Sequence, residues 1–127
     1  MITVESAIRI HKILIEEFGG TSGIRDRSLL ESALLRPYQT FDKKDLYPSP
    51  AEKAAAIIES IITNHPFLDG NKRLGYVLLR LTLMDYGFDI QCSEDDKYEF
   101  VIFIAKGESK YPEILNWILE KQVEYRN

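Results

Sequence analysis

The sequence contains one cysteine, two histidines and one tryptophan in 127 residues. A lone thiol, Cys92, forms no intramolecular disulfide, so a reducing compartment, the cytoplasm, is expected. Two histidines and one cysteine are too few for a usual zinc ligand set without several carboxylates. A basic excess is missing as well. Sixteen Lys+Arg stand against twenty Asp+Glu, a formal net charge of −4, which gives no bulk attraction to nucleic acid or to an anionic membrane. No apolar run approaches ~18 residues, and Met1-Ile2-Thr3-Val4-Glu5 lacks the basic-then-apolar pattern of a leader. Neither GxxxxGK(S/T) nor GxGxxG occurs, so P-loop and Rossmann nucleotide sites are not expected. Repeats, low-complexity tracts and linkers are also missing.

What is present is ordinary globular composition, 45% hydrophobic and 28% charged, which argues against disorder. The length suits one domain over residues 1–127, able to bury roughly two thirds of its unfolded surface. Helical periodicity dominates and predicts an all-α fold of about six helices. Thr3 caps the first, which gathers Val4, Ile8, Leu14, Ile15 and Phe18 and stops at Gly19-Gly20. Asp26 caps the second, which ends near Pro37. Residues Tyr38–Pro48 lack helical period and form either a loop or a short hairpin, a flap between helices two and three. Ser49-Pro50-Ala51-Glu52 starts the third helix with a capping box and Pro at the first position. Its body is apolar on more than one face, so it belongs at the centre, and it ends by about Asn64. The fourth runs from about Asn71 to Tyr86. Ser93 caps a fifth, ending near Gly107, and the last spans about Pro112 to Tyr125.

The chemistry concentrates in His65-Pro66-Phe67-Leu68-Asp69-Gly70-Asn71-Lys72-Arg73, the turn between the third and fourth helices. The first N–H groups of a helix lack intrahelical partners and, with the macrodipole, form an anion site. Gly70 allows close approach of a ligand to the backbone. Lys72 and Arg73 place positive charge in a first turn where helix electrostatics favour acids, which an anionic ligand offsets. Asp69 beside phosphate oxygens suits Mg²⁺, which binds through few protein ligands. His65, with an unperturbed pKa of about 6.5, suits removal of a hydroxyl proton at neutral pH. Together these point to phosphoryl or nucleotidyl transfer, a chemistry of positioning and charge stabilisation. Each residue also has a plain structural explanation. His65 suits a turn, Asp69 and Gly70 a helix start, Lys72 and Arg73 a solvated surface, Phe67 and Leu68 core plugs. Those four coincidences in one turn are the weaker account. His11 is expected to be a partly buried packing or capping histidine, and Cys92 and Trp117 structural.

HPFLDGNKR resembles the signature of the Fic/Doc superfamily, whose Fic branch reads HPFx(D/E)GN(G/K)R. With Gly19-Gly20, Gly23-Ile24-Arg25-Asp26 and the helix around Leu29–Leu35, the resemblance extends over about residues 1–110. It favours the compact Doc (death-on-curing) branch. Gly70 is the Fic-like choice and Lys72 the Doc-like one, standing where Fic adenylyltransferases carry glycine.

The resemblance implies a Fic fold and a toxin restrained by an antitoxin, acting in the cytoplasm. The implied activity is a kinase that uses ATP and Mg²⁺ to phosphorylate a protein hydroxyl, on elongation factor Tu by analogy. His65 would be the general base and Asp69 the metal ligand. Gly70, Asn71 and Lys72 would form the anion-binding turn, and Arg73 would neutralise a terminal phosphate. The flap would pair with the target as an added strand. Fic-type AMP transfer is the first alternative, and a non-catalytic nucleotide- or partner-binding module the second. The nearest approach to the inhibitory pattern of many Fic enzymes is Ser109-Lys110-Tyr111-Pro112-Glu113, where Pro112 and the following Ile114 speak against self-inhibition.

Overall fold

A computed structural model describes residues 1–125. Among them are six α-helices: α1 (Val4–Phe18), α2 (Arg27–Leu35), α3 (Pro50–Asn64), α4 (Asn71–Met84), α5 (Glu94–Ala105) and α6 (Tyr111–Lys121). Their starts follow the expected chemistry. The side chains of Thr3, Asp26, Ser49 and Ser93 each accept a backbone N–H of the first turn, and Ser49 and Glu52 complete a capping box. No helix among these residues is long and apolar enough to cross a membrane.

Helix α3 is the centre because it is apolar all round, with ten of its fifteen residues buried. One side joins Ala54, Ala55, Ile58 and Ile62 to Leu79 and Leu83 of α4, Phe100 and Ile104 of α5, and Ile114 and Ile118 of α6. The other side joins Ile57 and Ile61 to Ala7 of α1, Leu30 and Leu34 of α2, and Leu74 and Leu78 of α4. Each buried Ile or Leu contributes roughly 1.5–3 kcal/mol relative to exposure. Gly75 lets α3 and α4 approach closely, since a Cβ there would lie 3.0 Å from Ile62 Cγ1. The two helices flanking the turn are therefore held by the best-packed part of the molecule.

The segment between α2 and α3 is a hairpin. Strand β1 (Thr40–Phe41) pairs antiparallel with β2 (Lys44–Asp45). Asp42 and Lys43 between them both have positive φ, 51° and 65°, as a two-residue hairpin turn with strand-matched twist requires. Its base is tied to α3. Buried Lys53 donates to the Tyr47 carbonyl, and Arg36 donates to Tyr47 Oη at 3.0 Å and to Glu59 at 2.9 Å.

Three expectations need correction. The last helix ends at Lys121, and β4 (Gln122–Glu124) pairs antiparallel with β3 (Phe88–Ile90). This ladder, continued by Tyr125 N–H to the Gly87 carbonyl, gives the chain end backbone partners that a fraying last turn lacks. Helix α4 stops at Met84, two residues early, in tight turns closing on Gly87 at φ 87°. Phe18 is 56% exposed rather than part of the core face of α1, whose buried residues are Ala7 and His11.

Candidate active site

The α3–α4 turn begins with His65 in the left-handed region, φ 50° and ψ 61°. That conformation is uncommon for a residue with a side chain, and it turns the chain sharply out of α3. Pro66 and Phe67 are buried, and Asp69 and His65 are exposed. Phe67 is a core plug, as expected. Leu68 is not: it is 56% exposed, because the turn needs only one anchor and Leu68 lies over Gly23 on the surface side.

Asn71, the first residue of α4, is buried, and both ends of its side-chain amide bond to the Phe67 backbone. Its Oδ1 accepts the Phe67 N–H at 3.0 Å and its Nδ2 donates to the Phe67 carbonyl at 2.9 Å. Its backbone N–H has no partner and is open to an anion. Gly70 adopts φ 76°, and a Cβ there would lie 3.2 Å from Ile15 Cδ1 and 3.4 Å from His11 Nε2. The backbone and its own packing thus already favour glycine here. No side chain caps α4, and among the described residues the N–H groups of Asn71, Lys72 and Arg73 have no hydrogen-bond partner. Lys72 and Arg73 are exposed on this same first turn, which carries no acid. The result is a positive helix end with open donors.

The turn is strapped by the loop between α1 and α2, which runs antiparallel to it. Thr21 N–H donates to Asp69 Oδ2 at 3.1 Å. Leu68 N–H donates to the Gly23 carbonyl, Ile24 bridges to Phe67, and the N–H groups of Arg25 and Asp26 both donate to the Pro66 carbonyl. The Arg25 side chain reaches the carbonyls of Asn64 and His65, each at 2.6 Å. From α1, buried His11 stacks on Phe67 at 3.8 Å and donates from Nε2 to the Asp69 carbonyl at 2.8 Å. The sequence did not point to Thr21 or Arg25 as site residues, and His11, expected as a packing or capping histidine, does pack and also holds the turn. The available signals were three glycines and an arginine in one short non-helical stretch.

Asp69 Oδ1 also accepts its neighbour's N–H, Gly70, at 2.8 Å. These two backbone bonds, Thr21 first, hold the carboxyl below the ordinary aspartate value, with Lys72 and His11 adding smaller effects. The folded value therefore lies below the ~3.9 of an unfolded aspartate. The stability it contributes is complete above that unfolded value and is lost as pH falls through the folded one. Carbon-detected NMR titration of the Asp69 carboxyl is expected to show this lowered midpoint, and Thr21→Pro, which removes the donor, to raise it.

Each Asp69 oxygen keeps further acceptor capacity, so one carboxylate is available to a metal. No group of three His, Cys, Asp or Glu side chains that could hold a metal occurs among the described residues. A single carboxylate beside a phosphate-ready helix end fits Mg²⁺, which takes most of its ligands from water and phosphate.

Asp69, Gly70, Asn71, Lys72 and Arg73 share one open cavity of about 590 Å³, walled by α1, α4 and α5. Arg80 and Lys97 also line it, paired with Asp89 at 2.8 Å and with Glu94 at 3.1 Å, so among the described residues its unpaired cations are Lys72 and Arg73. Leu14, Phe18, Val77 and Tyr98 add apolar surface. The Arg73 guanidinium stacks over the Phe18 ring at 4.5 Å. His65 sits at the other end of the turn and is not on this wall. Glu113 belongs elsewhere. It accepts the Lys110 N–H at 2.9 Å at the start of α6 and lines a small pocket with Phe100 and Trp117.

The family model described as Fic/DOC matches residues 1–83, a shorter stretch than the 1–110 expected. Toxin Doc of Mycolicibacterium smegmatis is 38% identical over 84 residues, covering 61% of this chain and 65% of that protein. A Fido domain-containing protein of Dictyostelium discoideum is 30% identical over 86 residues, 64% of this chain and 60% of that protein. The similarity thus spans less than two thirds of either relative. All of α1, the strap, the hairpin, α3 and the signature turn lie inside the match, which ends within α4. The chain belongs to the Fic/DOC family.

Proposed function

We propose that this protein is a Doc-type toxin that transfers the γ-phosphate of ATP to a hydroxyl of a host protein. The observation that carries the reading is one strapped turn holding His65 at one end and a carboxylate, open helix amides and two cations at the other. In this reading the His65 imidazole takes the proton of a Ser or Thr hydroxyl. The freed oxygen bonds to the γ-phosphorus, the bond to the β–γ bridging oxygen breaks, and ADP leaves. The amides of Asn71 and Lys72 and the Lys72 and Arg73 side chains bind and orient phosphate oxygens. Asp69 would hold Mg²⁺, which when bound offsets phosphate charge.

Choice of the γ-phosphate over AMP transfer rests on Lys72, by resemblance an obstruction that reverses the nucleotide. Gly70, the Fic-like mark, has a local structural reason and so weighs little against it. Elongation factor Tu, by resemblance, is the target to try first, which agrees with a cytoplasmic site of action. An antitoxin is the expected restraint. Lys72 and Arg73 beside the apolar wall of the cavity between α1, α4 and α5 suit an acidic amphipathic segment. Use of Glu113 as a helix cap agrees with restraint from outside.

The test is purified protein with Mg²⁺, elongation factor Tu or bacterial lysate, and ATP labelled at the α- or γ-phosphate. Label from the γ-position alone is expected on a protein band. Transfer of the α-label would replace the kinase reading with AMP transfer, and transfer of neither would leave the non-catalytic module.

A further inference from the structure

The proposed general base sits in an unfavourable place. His65 is a non-glycine residue at φ 50°, and it precedes Pro66, whose ring pushes the preceding residue towards extended geometry. It also ends α3 without a basic residue in that helix's last turn, where carbonyls point outward unsatisfied. Arg25, forty residues earlier in the chain, answers all of this. Its Nε donates to the His65 carbonyl and its Nη2 to the Asn64 carbonyl, both at 2.6 Å. Its backbone N–H donates to the Pro66 carbonyl at 2.8 Å. One residue thus grips three consecutive carbonyls around the base, with a planar fork matched to two of them.

We infer that Arg25 is a positioning residue for His65, fixing the left-handed backbone from which the imidazole is aimed. The inference rests on the reading of His65 as the base. The guanidinium is exposed and bonds only to carbonyls, so it does not itself meet a reacting atom. The strap's main-chain bonds at Pro66, Leu68 and Asp69 do not depend on this side chain. Removing the side chain therefore releases the Asn64 and His65 carbonyls while the loop keeps its path. Lysine keeps the charge but offers a point donor instead of a fork, so it is expected to restore little.

The experiment compares Arg25→Met and Arg25→Lys with the wild type in three readouts. NMR coupling constants and backbone shifts report whether His65 keeps positive φ. Steady-state transfer of label separates kcat from the KM for ATP. Methylguanidinium, with methylammonium as control, tests rescue of the fork. The expected result for Arg25→Met is loss of the left-handed signature and a fall in kcat of about 10–100-fold. The KM for ATP stays within about twofold, and methylguanidinium restores part of the rate. Unchanged kcat overturns the inference, and so does a loss that only tracks the unfolded fraction and resists rescue. Should the wild type transfer no label, the functional reading fails and the NMR arm decides alone. A His65 that keeps positive φ in Arg25→Met then overturns the clamp.

Discussion

His65→Ala is expected to lower label transfer by about 10²–10⁴-fold, the usual contribution of a positioned general base. Growth inhibition on expression should disappear with it. The side chain is exposed, and the residue is held through its backbone carbonyl, so loss of activity should not reflect loss of a core contact. The backbone complicates the reading, because alanine at φ 50° is strained by roughly 1–2 kcal/mol. His65→Asn separates the two effects, since asparagine tolerates the left-handed region and offers no base of suitable pKa. Both variants should be inactive, with Asn closer to the wild-type melting temperature. Growth inhibition that survives both changes unaltered would remove His65 from the chemistry.

Asn71→Ala should have the largest effect on the folded state. It strands the Phe67 N–H and carbonyl in a buried place, each unmade bond costing about 1–3 kcal/mol. The total, roughly 2–6 kcal/mol, corresponds to a fall in Tm of roughly 10 °C or more for a chain of this size, measurable by calorimetry. Asn71→Asp keeps an acceptor for the Phe67 N–H but sets a second oxygen against the Phe67 carbonyl, so it should rescue less than half. The turn opens in both, and transfer should fall with it. If Asn71→Ala melts within about 2 °C of the wild type, the paired bonds to Phe67 do not carry this weight.

Much of the architecture could be read from residues that act on their near neighbours. Thr3, Asp26, Ser49 and Ser93 announced four helix starts because a cap works across three residues. The all-round apolar body of α3 announced its central place for the same reason. The signature turn was legible because its residues are adjacent in the chain. What could not be read were pairings with distant backbone. Thr21 reaches Asp69 through a main-chain N–H, which any non-proline residue possesses, so its identity carries no signal. The β3–β4 ladder is likewise made of main-chain groups, and periodicity carried the last helix past Lys121 into it. Leu68 and Phe18 were misplaced because hydrophobicity states a preference for burial, whereas the partner surface decides it.

The strap has a consequence for how the site comes into being. His11 meets Asp69 across 58 residues and Arg25 meets His65 across 40. The nine signature residues are contiguous, but their geometry is a long-range contact, formed only after two loop closures of that size. A fragment of α3, turn and α4 would carry every letter of the signature and keep the local bonds of Asn71 to Phe67, but none of the strap's restraint. Competence is therefore tied to docking of the N-terminal helix, so a nascent or partly unfolded chain holds the reactive groups without holding them in register.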